Sequence, residues 1–231
     1  MPDTQLKPSC GLDPLKFQDP LYTAKGDRRA VVALTNLRTL WFNTGSLCNI
    51  TCQNCYMDSS PSNDRLAYLT EADVNGYLDE IEAEGLGVEE IAFTGGEPFM
   101  NRDLTTMMES ALERGYRVLV LTNAMKPLLN KRGRLAALVK RHPDTMTLRV
   151  SVDHFTPTRH EAVRGIGAWA PMIEGLKWLA ENGFSITVAG RTCWNESVDE
   201  ARRGYGEFFA AEHIPIDAND PAALVLFPEM D

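Results

Sequence analysis

At 231 residues and 44% hydrophobic content, the chain is long enough to bury the core of one large α/β domain, or less readily of two small ones. Its net charge of −9, with no basic run to offset it, argues against a binder of nucleic-acid backbone but leaves room for a local groove that takes a phosphorylated substrate. No run of about eighteen apolar residues could span a membrane, the N-terminus lacks the apolar core of a signal peptide, and the clustered cysteines suit a reducing, cytoplasmic setting better than a disulfide framework.

Residues 1–35 carry scattered Pro, Gly and charge and read as an irregular N-terminal extension, in which Cys10 has no assigned role. From there, short apolar runs alternate with amphipathic stretches. Thr39–Asn43 is the first predicted strand and feeds directly into a cysteine-rich loop. A helix follows, with Thr70 as N-cap, Asp73 at its third position, and Val74, Tyr77, Leu78 and Ile81 on one apolar face. Residues 90–94 read as the second strand, closed by Gly95 and Gly96. Leu104, Met107, Met108, Ala111 and Leu112 share a face of the second helix, capped by Asn101 and stopped at Gly115. Residues 117–122 form a nearly continuous apolar strand, as expected where a parallel sheet is buried on both faces.

A third helix is predicted over about 132–140 and a fourth strand over 147–152. Ile173, Leu176 and Ala180 line a fourth helix ended by Asn182 and Gly183, and residues 184–189 are the fifth strand. Ser197 with Glu200 opens a fifth helix whose face holds Ala201, Tyr205, Phe208 and Phe209, and residues 222–227 are the sixth strand. Six strands and five helices in strict alternation, joined by right-handed crossovers, predict an α/β fold of the partial TIM-type (β/α)6 barrel kind with parallel strands, an open doubly wound sheet being the other closure. Residues 36–231 make up the expected core domain. Its last apolar strand has no following helix to cover it, so we expect truncation before a C-terminal module.

Cys48, Cys52 and Cys55 form a Cys-x3-Cys-x2-Cys triplet just after the first strand, hence at the C-terminal edge of the sheet, where α/β sites are built. Soft thiolates select zinc or an iron–sulfur cluster over magnesium or calcium. Three are one short of a closed structural zinc site or a fully thiolate-ligated cubane, which implies a metal with one position kept open. A zinc ion would need a distant fourth ligand; of His142, His154, His160 and His213, His154 follows a strand and could approach. Gly95 and Gly96 let the backbone come close to a ligand, and Glu97 offers an acceptor to an ammonium group. A strand-ending turn leading into a helix near Pro98 accounts for the same residues.

The triplet after the first strand, with Gly95-Gly96-Glu97-Pro98 after the second, strongly resembles the radical S-adenosylmethionine (SAM) superfamily over about residues 38–228. The resemblance implies a [4Fe–4S] cluster on the three cysteines, whose fourth iron chelates the amino and carboxylate groups of SAM. It implies that the Gly-Gly-Glu segment binds the methionyl amino group. The implied reaction is reductive cleavage of SAM to methionine and a 5′-deoxyadenosyl radical that abstracts hydrogen from a substrate. Ser151 and Asp153 match the family position that holds the ribose; a turn or helix-cap role is the alternative for Asp153. Arg191 could pair with the methionine carboxylate or be an ordinary loop arginine, and Thr122 and Asn123 match a polar position of the SAM pocket or cap the strand end. One departure stands out: the residue before the third cysteine is commonly aromatic in the family and is here Asn54. Tyr56 is expected to take over the packing near adenine, unless Asn54 serves through its backbone and amide.

Cys193, after the fifth strand, reads as a radical donor, an extra ligand or, more simply, a small apolar filler. The Arg132, Arg134 and Arg202, Arg203 clusters read as solvated helix faces. No general acid or base is needed for the first step and none is assigned. The expected partners are a one-electron reductant such as flavodoxin or ferredoxin, and a substrate that is a peptide, a protein or a small molecule. The competing class is a non-catalytic metal-binding α/β domain, with either a zinc site that includes His154 or an electron-carrying iron–sulfur cluster.

Overall fold

The strands pair in chain order. A computed structural model describes residues 18–23, 25–33 and 35–228; Cys10 and the rest of residues 1–17 lie outside these. Among the described residues two units are separable, one within residues 18–35 and one of residues 36–228. In the described part of the first, Tyr22 and Arg28 form an antiparallel bridge and the Asp19 carboxylate accepts the N–H groups of Leu21 and Tyr22.

In the second unit, β1 (Thr39–Asn43), β2 (Glu90–Thr94), β3 (Arg117–Thr122), β4 (Met146–Ser151), β5 (Ser185–Thr192) and β6 (Leu224–Pro228) make one wholly parallel sheet in the order β1-β2-β3-β4-β5-β6. This is a partial barrel that does not close, with β1 and β6 as its edges. Phe42, Phe93, Val120 and Leu148 fall in one register row and pack with the helices into a single core. Each such side chain taken out of water stabilises the fold by about 2 kcal/mol. On β3, Val118, Leu119 and Val120 are all buried, so both faces of this strand are covered.

Among the described residues seven α-helices, not five, fill the connections between these strands, two each after β3 and β4: α1 (Glu71–Ala83), α2 (Leu104–Glu113), α3 (Lys126–Leu129), α4 (Arg132–Arg141), α5 (Pro157–Arg164), α6 (Trp169–Glu181) and α7 (Val198–Ala211). Two expected capping boxes are present: Thr70 and Asp73 at α1, and Ser197 and Glu200 at α7, each exchange side chain-to-backbone hydrogen bonds. Tyr77 departs from the predicted apolar face of α1. It is 52% exposed and only leans its ring on Phe42, because it lies at the margin of the stripe held by Val74, Leu78 and Ile81. Asn101 does not cap α2, which starts three residues later; its amide donates to the carbonyls of Thr44 and Leu69, while its Oδ1 accepts from Asp103 N–H. Arg202 is not a solvated charge either, since it donates to the carbonyls of Ala218 and Leu224 and ties α7 to the start of β6.

Candidate active site

All six strands run the same way, so the loops after β1 to β5 leave from one edge of the sheet. The loop after β1 carries the cysteines, and its path is fixed residue by residue. Thr44 N–H and Oγ1 both bind the Thr94 carbonyl at 2.8 and 3.0 Å, extending the β1–β2 ladder past its end. Gly96 N–H then donates to Gly45 O (2.9 Å) and Glu97 N–H to Leu47 O (3.0 Å). Cys48 N–H reaches Ser60 O at 3.1 Å, and Gln53 N–H reaches Val163 O in α5 at 2.7 Å. The loop is thus pinned from β2 on one side and from α5 on the other. Asn54 has φ +58°, a left-handed conformation that asparagine tolerates well, which gives a backbone reason for asparagine at this position.

Gly95 and Gly96 form the wall beneath this loop. A Cβ on Gly95 would stand 2.7 Å from Thr44 Oγ1, and one on Gly96 would collide with the backbone of Leu47 and Ser46. The Glu97 side chain turns away from the opening and is only 2% exposed. Its Oε1 accepts from Thr122 Oγ1 (2.9 Å) and Phe99 N–H (3.2 Å), and its Oε2 from Asn123 N–H (2.8 Å). Burial pushes this carboxyl up to about 7 against the pull of those three donors. Glu97 therefore knits the end of β2 to the end of β3 instead of facing the opening.

Asp153 behaves in the same way. It is buried behind two arginines, with Arg164 donating through Nε and Nη2 at 2.7 and 3.2 Å and Arg191 Nε at 3.4 Å. Burial pushes the Asp153 carboxyl up, but the attraction of Arg164 and then Arg191 outweighs it and holds the group below the ordinary range. Arg164, the last residue of α5, loses water too, and its pairing with Asp153 keeps it firmly charged. Sequence reading missed Arg164 altogether. Its helix is polar around most of its circumference, with only His160 buried, and so gives no apolar period to detect.

These residues surround one cavity of about 150 Å³. Its wall contains Cys48, Cys52, Cys55, Tyr56, Gly95, Gly96, Thr122, Asn123, Ser151 and Arg191 from the predicted set, but neither Glu97 nor Asp153; Ser59 and Arg164 are further wall residues. Cys48 is nearly buried, and burial pushes its thiol up to about 11; burial raises Cys52 as well, with Arg164 countering. Tyr56 is 81% exposed at the mouth. Ser59 Oγ is buried without a hydrogen-bond partner. Cys193 is half-buried and stands outside the cavity wall.

His154 does not reach the thiols. Its Nδ1 accepts from Thr156 N–H at 2.9 Å, its Nε2 faces Glu196 at 3.2 Å, and its ring stacks on Phe155. Both nitrogens are occupied, so the zinc alternative loses its expected fourth ligand. Among the described residues no three His, Cys, Asp or Glu side chains converge on a point that one ion could occupy. A cubane takes its thiolates at separate corners and needs no such convergence. Three soft donors in one wall, two glycines that clear space, an arginine as counter-charge and an orphaned serine hydroxyl fit a cluster with a polar ligand beside it.

Residues 42–204 match the family model described as the radical SAM superfamily. The antilisterial bacteriocin subtilosin biosynthesis protein AlbA of Bacillus subtilis (strain 168) is 27% identical over 143 residues, which is 62% of this chain and 30% of AlbA. The GTP 3′,8-cyclase of Tolumonas auensis is 29% identical over 141 residues, 59% of this chain and 39% of the cyclase. Streptococcus suis SuiB bound to S-adenosylmethionine is similar in fold, with a TM-score of 0.66 at 16% identity, covering 85% of this chain and 41% of SuiB. SuiB bound to its precursor peptide SuiA gives 0.65 at 15% identity, over 84% and 40% of the two chains. The chain spans less than half the length of each of these proteins.

Proposed function

The chain belongs to the radical SAM superfamily, and we propose that it is the core of an enzyme that carries a [4Fe–4S] cluster on Cys48, Cys52 and Cys55, binds SAM beside it and acts on a peptide or protein. The observation that carries this reading is the shared wall: the three cysteines line one cavity with Gly95, Gly96 and every other predicted SAM contact except Glu97 and Asp153. Bound there, the cluster and SAM supply a one-electron cleavage that releases a 5′-deoxyadenosyl radical, chemistry that belongs to the cofactors.

The chain contributes position and charge. The backbone at Gly95 and Gly96 offers the methionyl end of SAM a surface without Cβ atoms. Arg164 and Arg191, both paired with Asp153, line the wall and offer guanidinium groups to a carboxylate. Ser151 offers a hydroxyl to the ribose, and Tyr56 offers a ring at the mouth for adenine. Glu97 and Asp153 act through their neighbours, by holding Asn123 and the two arginines in place.

A peptide or protein substrate is favoured by the names of AlbA and of SuiB with its precursor peptide; the GTP 3′,8-cyclase represents the small-molecule alternative. A flavodoxin- or ferredoxin-type protein would deliver the electron. Free thiols suit a reducing cytoplasm, and among the described residues no helix is long and apolar enough to cross a membrane.

Anaerobic reconstitution with iron and sulfide tests the reading. A brown protein with about four irons per chain is expected, forming 5′-deoxyadenosine on addition of dithionite and SAM. Cys52→Ala should lose both iron and product. A cluster-loaded protein with all three cysteines that forms no 5′-deoxyadenosine would overturn the proposal, and a colourless zinc-loaded protein would favour the metal-binding alternative.

A further inference from the structure

We propose that Asn123 donates a hydrogen bond to the Cys48 sulfur and thereby sets how readily a cluster carried there accepts an electron; the inference rests on the function proposed above. Asn123 is the first residue after β3 and is buried. Its Oδ1 accepts Met125 N–H at 3.0 Å, which fixes the orientation of the amide and turns its NH2 toward the cysteine loop. There Nδ2 donates to Asn49 Oδ1 at 2.9 Å and stands 3.9 Å from Cys48 Sγ. Two amide hydrogens serve the two acceptors. The backbone N–H of the same residue is held by Glu97 Oε2 at 2.8 Å, so the group is clamped at both ends.

Cys48 is the one buried member of the triplet, Cys52 and Cys55 being half-buried. A sulfur removed from water must find its hydrogen-bond donors in the protein. Asn123 is one of these and the Ile50 backbone N–H is another. Hydrogen bonds to the sulfurs of a cluster stabilise its more negative, reduced form and raise its potential. Asn123 is on this reading a positioning residue that acts through Cys48, in addition to being part of the cavity wall.

Reconstituted Asn123→Ala and Asn123→Asp protein, titrated against potential and read by EPR with iron and sulfide counted in parallel, tests this. Aspartate keeps the oxygen that Met125 N–H needs and removes the donor. Both variants should keep wild-type iron content. At the wild-type midpoint their reduced-to-oxidised ratio should fall several-fold, and further for aspartate, whose charge adds to the lost bond. A tenfold fall corresponds to about 59 mV for one electron. An unchanged midpoint in either cluster-loaded variant would overturn the inference. Loss of iron from both would overturn it too, because Asn123 would then be a support for the loop and not a tuning donor. If the wild-type protein takes up no cluster, the parent proposal fails; a titratable wild-type cluster that the substitutions leave unmoved sinks this inference alone.

Discussion

Gly96 and Leu47 are packed so closely that a Cβ on Gly96 would stand 2.2 Å from the Leu47 carbonyl oxygen. The next residue donates its N–H to that same carbonyl. The second glycine is thus demanded by the cysteine loop itself, before any ligand is considered. Because the opposing atoms are backbone, no rotamer change relieves the contact. Gly96→Ala should cost about 1–3 kcal/mol, as overpacking does, and should displace the loop one residue from Cys48. A lower urea midpoint and a loss of iron on reconstitution are the expected readouts. An alanine variant with wild-type values for both would show that the loop gives way without consequence.

Glu97 is surrounded by donors only: one hydroxyl and two backbone N–H groups. Glu97→Gln must turn an NH2 toward at least one of them. The expected cost is about 1–3 kcal/mol in urea denaturation, the penalty for a buried polar group without a partner. Glu97→Ala should cost more, since it strands all three donors. Equal stability of the glutamine variant and wild type would mean that the carboxyl is protonated and already donates.

The strands were legible because each is a short apolar run, and their parallel pairing followed from their alternation with helical segments, whereas the sequential order that separates a partial barrel from a doubly wound sheet did not. What escaped were the two segments without a period. Lys126–Leu129 is a single turn, too short to show one, and Pro157–Arg164 presents charge and hydroxyls with a lone buried histidine. Losing that second helix also hid Arg164, one of the two arginines in the cavity wall. Glu97 and Asp153 show a different limit. Residue type marks them as polar groups near the site, but which way a carboxylate turns depends on donors 25 and 11 residues away in sequence.

Asp153 and Arg164 form a buried, two-pronged ion pair, with side chains 4% and 13% exposed. Removing Asp153 leaves the buried Arg164 charge without this counter-ion. Asp153→Ala should therefore cost about 3–5 kcal/mol. Adding Arg164→Met to that variant should recover part of the loss, giving a favourable coupling in a double-mutant cycle by urea denaturation. Arg191, still within reach of Asp153, keeps Arg164→Met alone milder than Asp153→Ala. Strict additivity of the two substitutions would show that the pair contributes nothing as a pair.

His160 lies fully buried, edge-on to Trp169 at 5.4 Å, with neither ring nitrogen hydrogen-bonded. Burial, and then Arg164 one turn on, push its pKa down from 6.5 to about 4. The unfolded chain takes up this proton near pH 6.5 and the folded chain only near pH 4, so between the two the unfolded state binds more protons. Stability from this group is intact above pH 6.5 and is lost as pH falls, by on the order of 3 kcal/mol in all. Glu97 works in the opposite sense: with its carboxyl raised from 4.5 to about 7, the folded chain keeps a proton that the unfolded chain releases, and stability falls as pH rises through that window. The two trends oppose each other in the wild-type curve. His160→Phe keeps a ring against Trp169 and removes one of them. The difference in unfolding free energy between wild type and this variant should be constant above about pH 6.5 and should swing toward the variant between 6.5 and 4. A difference that stays level across that range would mean that His160 titrates alike in both states.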